Sequence, residues 1–368
     1  MNPLFGGAQE RVFQMSKYLG NLGVRVDTLT TKYQIDRDWV GQLQSGEVFV
    51  LNALHCRYLY PIGAEKWLRR NLHRYDAIHI AKNWCLLGSA TAKVAKEMGI
   101  PYIFSGMGFV SIHNRSKILK KVFTQLYAKP ILKNANYCIA VTEEERVDLL
   151  ANGVLDNKIH VIPNGIVPTN FSCIDDKFFR NKYGIGNKKI ILFIGRMDPI
   201  KGVHLLVEAY RKVIPKISSW CLVLVGTNTA YRIKLEAYIK SSGMEGSVIF
   251  IDPIFGDEKS IAYHAADFVV VPSIKDAMTI IAPEAAYCKR PVLITKSSGF
   301  QGLLHAGGSV EVEASVESIA KGLLAMCDGS IDLDLMGLNG NKYVTDNCDW
   351  EVLSKKYLDI LTSCIIKD

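Results

Sequence analysis

Short apolar runs of strand length alternate with helical patterns from one end of this chain to the other, and that alternation limits the fold more than any other feature. In the first half VRVDTLTT, AIHIA, YIFS, YCIAVT and IHVIPNG read as buried strands. In the second half KIILFIG, CLVLVG, VIFID, FVVVPS and PVLIT do the same. Helical stretches lie between them: Ser89 to Met98, the basic Lys117 to Leu132, and Glu143 to Asn152, then helices starting at Val203, Tyr231, Lys259, Pro283 and Val316. Thr142 followed by Glu145 is a capping box for one of them. Strand and helix in regular alternation call for parallel sheets covered by helices. A chain of 368 residues is long enough for two such domains. The expectation is two doubly wound α/β domains facing each other across a cleft. Residues 1–167 would form the first and 168–349 the second, with a C-terminal helix over 350–368 packing back onto the first.

Composition is that of a globular protein, 49% hydrophobic and 22% charged. The longest apolar runs are strand-sized, and none reaches the 18 or so residues of a membrane span. Met1-Asn2-Pro3 has neither a basic leader nor an apolar one, which points to the cytoplasm. Nine cysteines, an odd number, occur without a C-x-x-C pair. Cys85, Cys138 and Cys221 sit in apolar segments and read as reduced packing thiols. The net charge of +8 is uneven. Up to Ile166 there are 21 Lys and Arg against 13 Asp and Glu; beyond it the two are equal. The excess gathers in KWLRRNLHR (66–74) and RSKILKKVF (115–123). Such stretches are solvated faces, or they attract an anionic membrane surface or a lipid-phosphate acceptor. Nucleic acid is not expected, because no aromatic residues interleave with the basic ones.

In open parallel sheets ligands bind beyond the carboxyl ends of the strands, so the loops there carry the chemistry. Three stand out. In FIGRMDPIKGVHLL, Arg196 and Lys201 flank a short loop between a strand and a helix. Cations beside the unpaired amides of a helix start suit a phosphate, although on their own they would simply be solvated. In VVVPSIKDAMTIIAPEAAY, Asp276 lies in the loop and Pro283 can open the next helix, with Glu284 in its first turn. Without its neighbours that pair is a turn Asp and a dipole-favoured Glu. The third loop is FGGAQE, a glycine turn before an amphipathic helix with Val12, Met15, Leu19 and Leu22 at helical spacing. No G-x-G-x-x-G occurs, which argues against a nicotinamide enzyme.

Taken together, GGAQERVFQMSKYLGNLG, VTEEERVDLL, VIPNGI, GRMDPIKGVHLLVEAY, VVPSIKDAMTIIAPEAAYCKRPVL and DWEVLSKKYLDIL resemble glycosyltransferase family 4 in order and spacing. Those are retaining, metal-independent enzymes of the GT-B fold that use nucleotide-sugar donors. The resemblance implies that Arg196 and Lys201 neutralise the donor diphosphate. It implies that Asp276 contacts the transferred sugar and Glu284 holds the ribose. Ala277, Met278, Thr279, Ile280 and Ile281 would offer amides to sugar and pyrophosphate. Gly6 and Gly7 would close over the donor, and Asp252, Pro253 and Ile254 would lie near its base. The donor would be UDP- or GDP-linked, with no metal and no other cofactor. The acceptor would be a glycan or a lipid-linked sugar in cell-surface glycan synthesis, with the enzyme in the cytoplasm or on the inner face of a bacterial plasma membrane.

The chain departs from the family pattern in three places. Asp276 stands where the family has a Glu. Met107 stands where it commonly has His or Arg; nearby His113 could substitute, and His79 could face the same cleft or simply pack. The strand expected ahead of the glycine turn has no residues, so the reading frame is expected to extend upstream. Two alternatives stay open: a sugar-nucleotide epimerase of the same architecture, and a degenerate member without activity. Asp332-Leu-Asp334 has the form of a metal-binding Asp-x-Asp, but reads as turn and helix-cap chemistry.

Overall fold

The computed structural model describes residues 7–32, 41, 43, 45–54, 61–81, 85–107, 123–276 and 278–366. The chain divides into two compact units, Met1–Pro163 together with Trp350–Asp368, and Asn164–Asp349.

In the first unit, α1 (Gly7–Asn21) leads to β1 (Thr28–Thr31) and β2 (Val48–Leu51). Next come α2 (Ala64–Asn71), β3 (Ile78–Ala81), α3 (Leu86–Glu97) and β4 (Tyr102–Ser105). A π-helical turn at Thr124–Ala128 runs into α4 (Lys129–Asn134), then β5 (Tyr137–Ala140), α5 (Glu143–Ala151) and β6 (Ile159–Val161). The strands fall into two separate parallel sheets, β1-β2 and β3-β4-β5-β6. Tyr102, Phe104, Cys138 and Ala140 from the larger sheet pack with Leu68, Leu72, Ala95, Ile131 and Leu149 from the helices. Each large apolar side chain buried this way contributes about 1.5–3 kcal/mol. Burial also pushes the Cys138 thiol up to about 12, which fits a packing role.

At α5 the capping pair Thr142 and Glu145 both engage the helix start. Thr142 Oγ1 accepts from the Glu145 amide at 3.2 Å, and Glu145 Oε2 accepts from the Val141 amide at 2.7 Å. Along α1, Met15 and Leu19 are buried as their spacing requires. Leu22 is instead exposed, because it lies past the helix end.

Arg11 is a buried charge that the apolar pattern does not announce. Its guanidinium donates to the carbonyls of Ile162 and Pro163 at 2.7 and 2.6 Å and to Tyr357 Oη at 2.8 Å. It also lies over the rings of Trp350 and Tyr357, on α14 (Trp350–Ile365). One side chain thereby ties α1, the end of β6 and α14 together.

The second unit begins with α6 (Asp176–Lys182), β7 (Lys189–Ile194), α7 (Val203–Val213) and β8 (Trp220–Val225). It continues through α8 (Ala230–Ser241), β9 (Val248–Ile251), α9 (Gly256–Ala265) and β10 (Phe268–Val271). Then follow α10 (Ile281–Tyr287), β11 (Val292–Thr295), α11 (Gln301–His305) and β12 (Ser309–Val312). Helices α12 (Val316–Cys327) and α13 (Leu333–Cys348) close it. All six strands form one parallel sheet in the order β12-β11-β10-β7-β8-β9. Its first strand in chain order, β7, therefore sits inside the sheet, and Ile190, Ile191 and Leu192 are fully buried. Helix α7 buries Leu206, Val207, Tyr210 and Val213 against it, a stripe at helical spacing. Asp332 caps α13 by accepting from the Leu335 amide at 2.9 Å, the structural role its Asp-x-Asp setting suggested. Among the described residues no helix is long and apolar enough to cross a membrane.

Candidate active site

In the second unit the chain order of the strands reverses between β7 and β10, since β8 follows β7 on one side while β10 lies on the other. Ligands of open α/β sheets bind at such a switch point, beyond the carboxyl ends of the strands. The loops that leave β7 and β10 carry Arg196, Lys201, Asp276 and Glu284.

After β7, Asp198 caps a single 3₁₀ turn, Pro199–Lys201, by accepting from the Ile200 amide at 2.9 Å. Gly202 then turns the chain into α7 with φ of 68°. Only glycine suits that position: a Cβ would lie 1.9 Å from the Pro272 carbonyl oxygen as well as in an unfavourable backbone region. The same close approach brings the two loops together. The Ile274 amide donates to Ile200 O at 2.9 Å. Lys201 Nζ pairs with Asp276 Oδ2, both side chains being largely buried. Arg196 is exposed, and among the described residues it has no ion pair.

The loop after β10 is held from behind by the segment after β11. Thr295 Oγ1 and Ser297 Oγ each donate to Ser273 O at 2.6 Å, and the Asp276 amide donates to Ser297 O at 3.0 Å. Met278 and Thr279 are buried, with Asn164 Nδ2 donating to Met278 O at 3.0 Å. Helix α10 starts at Ile281, two residues before the proline from which the sequence would start it. Thr279 Oγ1 takes the Ile281 amide at 3.1 Å and so anchors the helix start upstream of Pro283. Glu284 remains in the first turn.

Glu284 is gripped from α9. Lys259 Nζ lies 2.7 Å from its Oε1, and Tyr263 Oη donates to its Oε2 at 2.6 Å. Burial, with the carboxylate beside it, raises the Tyr263 phenol well above its usual pKa, so it stays a donor. The sequence reading missed Lys259, Tyr263, Ser297 and Asn164 as parts of this site. Lys259 and Tyr263 are four apart on one helix, a spacing that puts them on one face. Only the tertiary fold says that this face meets Glu284.

The other expected residues are less tightly joined. Asp252 follows β9 and pairs with Arg232 at 2.7 Å; Pro253 is exposed and Ile254 is buried. In the first unit, Gly7 opens α1. Met107, two residues past β4, is buried and holds a left-handed backbone, φ 53°, a strained conformation of the kind that gathers at functional sites. His79 takes the packing role: Nε2 lies 2.7 Å from Ser105 Oγ, its ring is 5.8 Å from that of Tyr357, and burial lowers its pKa to about 3. Gly6, Ala277 and His113 lie outside the described residues.

Comparisons with known proteins agree on the class. Two parallel α/β units of this kind make the GT-B fold, and solved structures of that fold align over almost the whole chain. One is Anabaena Alr3699/HepE in complex with UDP, at a TM-score of 0.82, 18% identity, and coverage of 98% of this chain and 97% of that one. Another is sucrose-phosphate synthase from Thermosynechococcus elongatus, at a TM-score of 0.77, 21% identity, and coverage of 97% and 93%. In sequence, residues 5–170 match the model of Glycosyltransferase Family 4, and residues 175–343 that of Glycosyl transferases group 1. The chain belongs to this glycosyltransferase family. A curated relative, D-inositol 3-phosphate glycosyltransferase from Arthrobacter sp. (strain FB24), is 27% identical over 260 residues. That match covers 66% of this chain, and the chain spans 60% of the relative's length.

Proposed function

We propose that the chain is a retaining, metal-independent glycosyltransferase that moves a sugar from a UDP- or GDP-linked donor to a glycan or lipid-linked acceptor. The observation that carries this reading is the meeting of Lys201 and Asp276 at the switch point, with the exposed Arg196 in the same loop. A nucleoside diphosphate laid there would take Lys201 as its counter-ion and leave Asp276 for the hydroxyls of the sugar. Arg196 would add a two-pronged grip on phosphate oxygens. Glu284, oriented by Lys259 and Tyr263, would accept from the ribose hydroxyls. The UDP held by the Anabaena structure supports a nucleotide donor for this fold.

In the reaction, the acceptor oxygen attacks the anomeric carbon on the face from which the diphosphate leaves. The bond from that carbon to the phosphate oxygen breaks as the new glycosidic bond forms, and the acceptor's proton passes to the departing phosphate oxygen. Charge develops on the leaving group, where fixed cations stabilise it best. Arg196 and Lys201 supply that charge in place of a metal.

Calorimetry with UDP and with GDP tests the donor site. Saturable binding that Lys201→Ala abolishes is expected; no binding of either nucleotide would overturn the reading. Transfer should persist in a chelator. Turnover of donor without acceptor would favour the epimerase instead.

A membrane-borne acceptor is supported by α2 and the 3₁₀ turn Leu72–Arg74 that follows it, where Lys66, Arg70 and Arg74 are exposed. Part of that charge is already matched, since Arg69 pairs with Glu97. Sedimentation with anionic vesicles at low salt, lost at high salt, is the expected behaviour of a peripheral protein at the cytoplasmic face.

A further inference from the structure

Two lysine–carboxylate pairs lie around the switch point of the second unit, and they are built differently. Lys259 Nζ lies 2.7 Å from each carboxylate oxygen of Glu284, and Tyr263 Oη donates to Oε2 at 2.6 Å. Glu284 is thus held by two side chains of one helix, α9, and Tyr263 is fully buried. The two oxygens of a carboxylate offer about four acceptor sites, so one gripped in this way still takes bonds from ribose hydroxyls without releasing its lysine.

The other pair, Lys201 and Asp276, bridges two loops, the one after β7 and the one after β10. Its side chains are 23% and 17% exposed, so their attraction is screened far less than that of a surface pair. In the donor reading of the site these partners face different groups, Lys201 the diphosphate and Asp276 the sugar. A lysine closed on its own carboxylate presents no net charge to a phosphate. A phosphate that approaches it meets the negative charge of Asp276 as well.

The main chain lets this pair open without rearrangement. The Lys201 amide donates to Asp198 O at 2.9 Å, and the Asp276 amide donates to Ser297 O at 3.0 Å. The Ile274 amide ties the second loop to the first at Ile200 O, 2.9 Å away. With both backbones pinned, opening is a matter of side-chain rotation.

We propose that Asp276 is an internal competitor for Lys201: the sugar of the donor unlocks the diphosphate site, and its departure locks the site again. This rests on the donor reading given above. When the nucleotide carries a sugar, hydroxyls donate to Asp276 in place of the ammonium, and the ammonium turns to the diphosphate. After transfer the bare nucleoside diphosphate offers the carboxylate no donor. Asp276 then retakes Lys201, and the product is released. The residue thereby tells the sugar-bearing nucleotide from the bare one, by charge rather than by shape. Only the open fraction of the pair binds, so a pair closed about nine-tenths of the time weakens the bare nucleotide about tenfold.

Calorimetric titration of the full chain and its variants with UDP and with GDP is the test. Asp276→Asn keeps the shape and removes the charge, and it should bind the nucleotide about tenfold more tightly than the wild type. Asp276→Ala should shift in the same direction, which keeps the test open if one of the two fails to fold. Glu284→Gln also removes a carboxylate, but one whose lysine is not needed elsewhere, and it should weaken binding. In a Lys201→Ala chain, Asp276→Asn should restore no binding, because no lysine is left to release. Absence of binding in the wild type and in Asp276→Asn alike would overturn the donor reading and the exchange with it. Binding by the wild type that Asp276→Asn leaves unchanged or weakens would overturn the exchange alone. Restored binding in the Lys201→Ala chain would do the same, reducing Asp276 to plain repulsion of the phosphate. So would an equal gain from Glu284→Gln, since the net charge of the site would then account for both.

Discussion

Among the described residues the two units share one strand order and differ at two positions, since the first has a further edge strand, β6, and no strand where the second has β7. In the second, β7 lies between β8 and β10 and its loop delivers Arg196 and Lys201; in the first, the same position separates two sheets and borders a cavity. A central strand of a doubly wound sheet does two jobs. It fills the core on both faces, and its carboxyl end aims the loop at the ligand. The second unit has both within the described residues. The first keeps the helix, α1, that follows such a strand, and holds it from elsewhere through Arg11.

The largest expected effects test the second job. Lys201→Ala should lower transfer about 10²–10³-fold, on the scale of removing one preorganised charge-stabilising donor, or about 2.7–4 kcal/mol. A steady-state assay of kcat checks it. Gly202→Ala should act on the same readout without touching a charge, because the loop after β7 must move away from Pro272. Normal transfer in that variant would mean that the approach of the two loops does not matter.

The first job is tested by truncating a side chain in each unit. Leu192→Ala, in a fully buried strand, should cost about 2–5 kcal/mol in chemical denaturation. Ile78→Ala, half-buried beside the cavity, should cost about 1 kcal/mol or less, since one side of it has few atoms to lose. Equal losses would show that the edge of the cavity is packed as tightly as the sheet around β7.

The same contrast governs what could be read from sequence. Strands β7, β8, β10 and β11 are continuous apolar runs buried on both faces, and they stand out in the chain. Strands β2 and β12 do not, because each is an edge strand, half-buried in VFVL and SVEV. Helix α2 passes for a charge cluster, its buried face being little more than Ala64 and Leu68 among cations. In the site, Arg196, Lys201, Asp276 and Glu284 are legible because loop, glycine and helix start are local in sequence. Lys259 and Tyr263 are not, since the carboxylate they hold is more than twenty positions away. Arg11 is the extreme case: its partners are 151, 152 and 346 residues distant, and a buried arginine leaves no mark on an apolar pattern.

Arg11→Ala should therefore destabilise the first unit, because it strands two carbonyls and the Tyr357 hydroxyl at about 1–3 kcal/mol for each buried group left without a partner. The lysine variant should recover little of this, as one ammonium cannot reach three acceptors in a planar fork. Denaturation followed at separate probes in each unit would show the loss confined to the first. An equal loss in both would mean that the two unfold as one, and the comparison between them would then have no energetic counterpart.

The smallest effect lies at His79, at the edge of the cavity. His79 has its pKa lowered by burial, then by the nearby Arg11 charge, to about 3 against an ordinary 6.5. The folded state therefore holds it neutral, while the unfolded chain takes up a proton as pH falls through 6.5. Its stability contribution is complete above that pH and is lost between there and about 3, by up to about 1.4 kcal/mol per pH unit. Between pH 7 and 5.5 that amounts to about 1 kcal/mol, which His79→Gln should remove from the pH dependence while keeping a partner for Ser105. A pH dependence that His79→Gln leaves unchanged would mean that another group carries the acid-side loss.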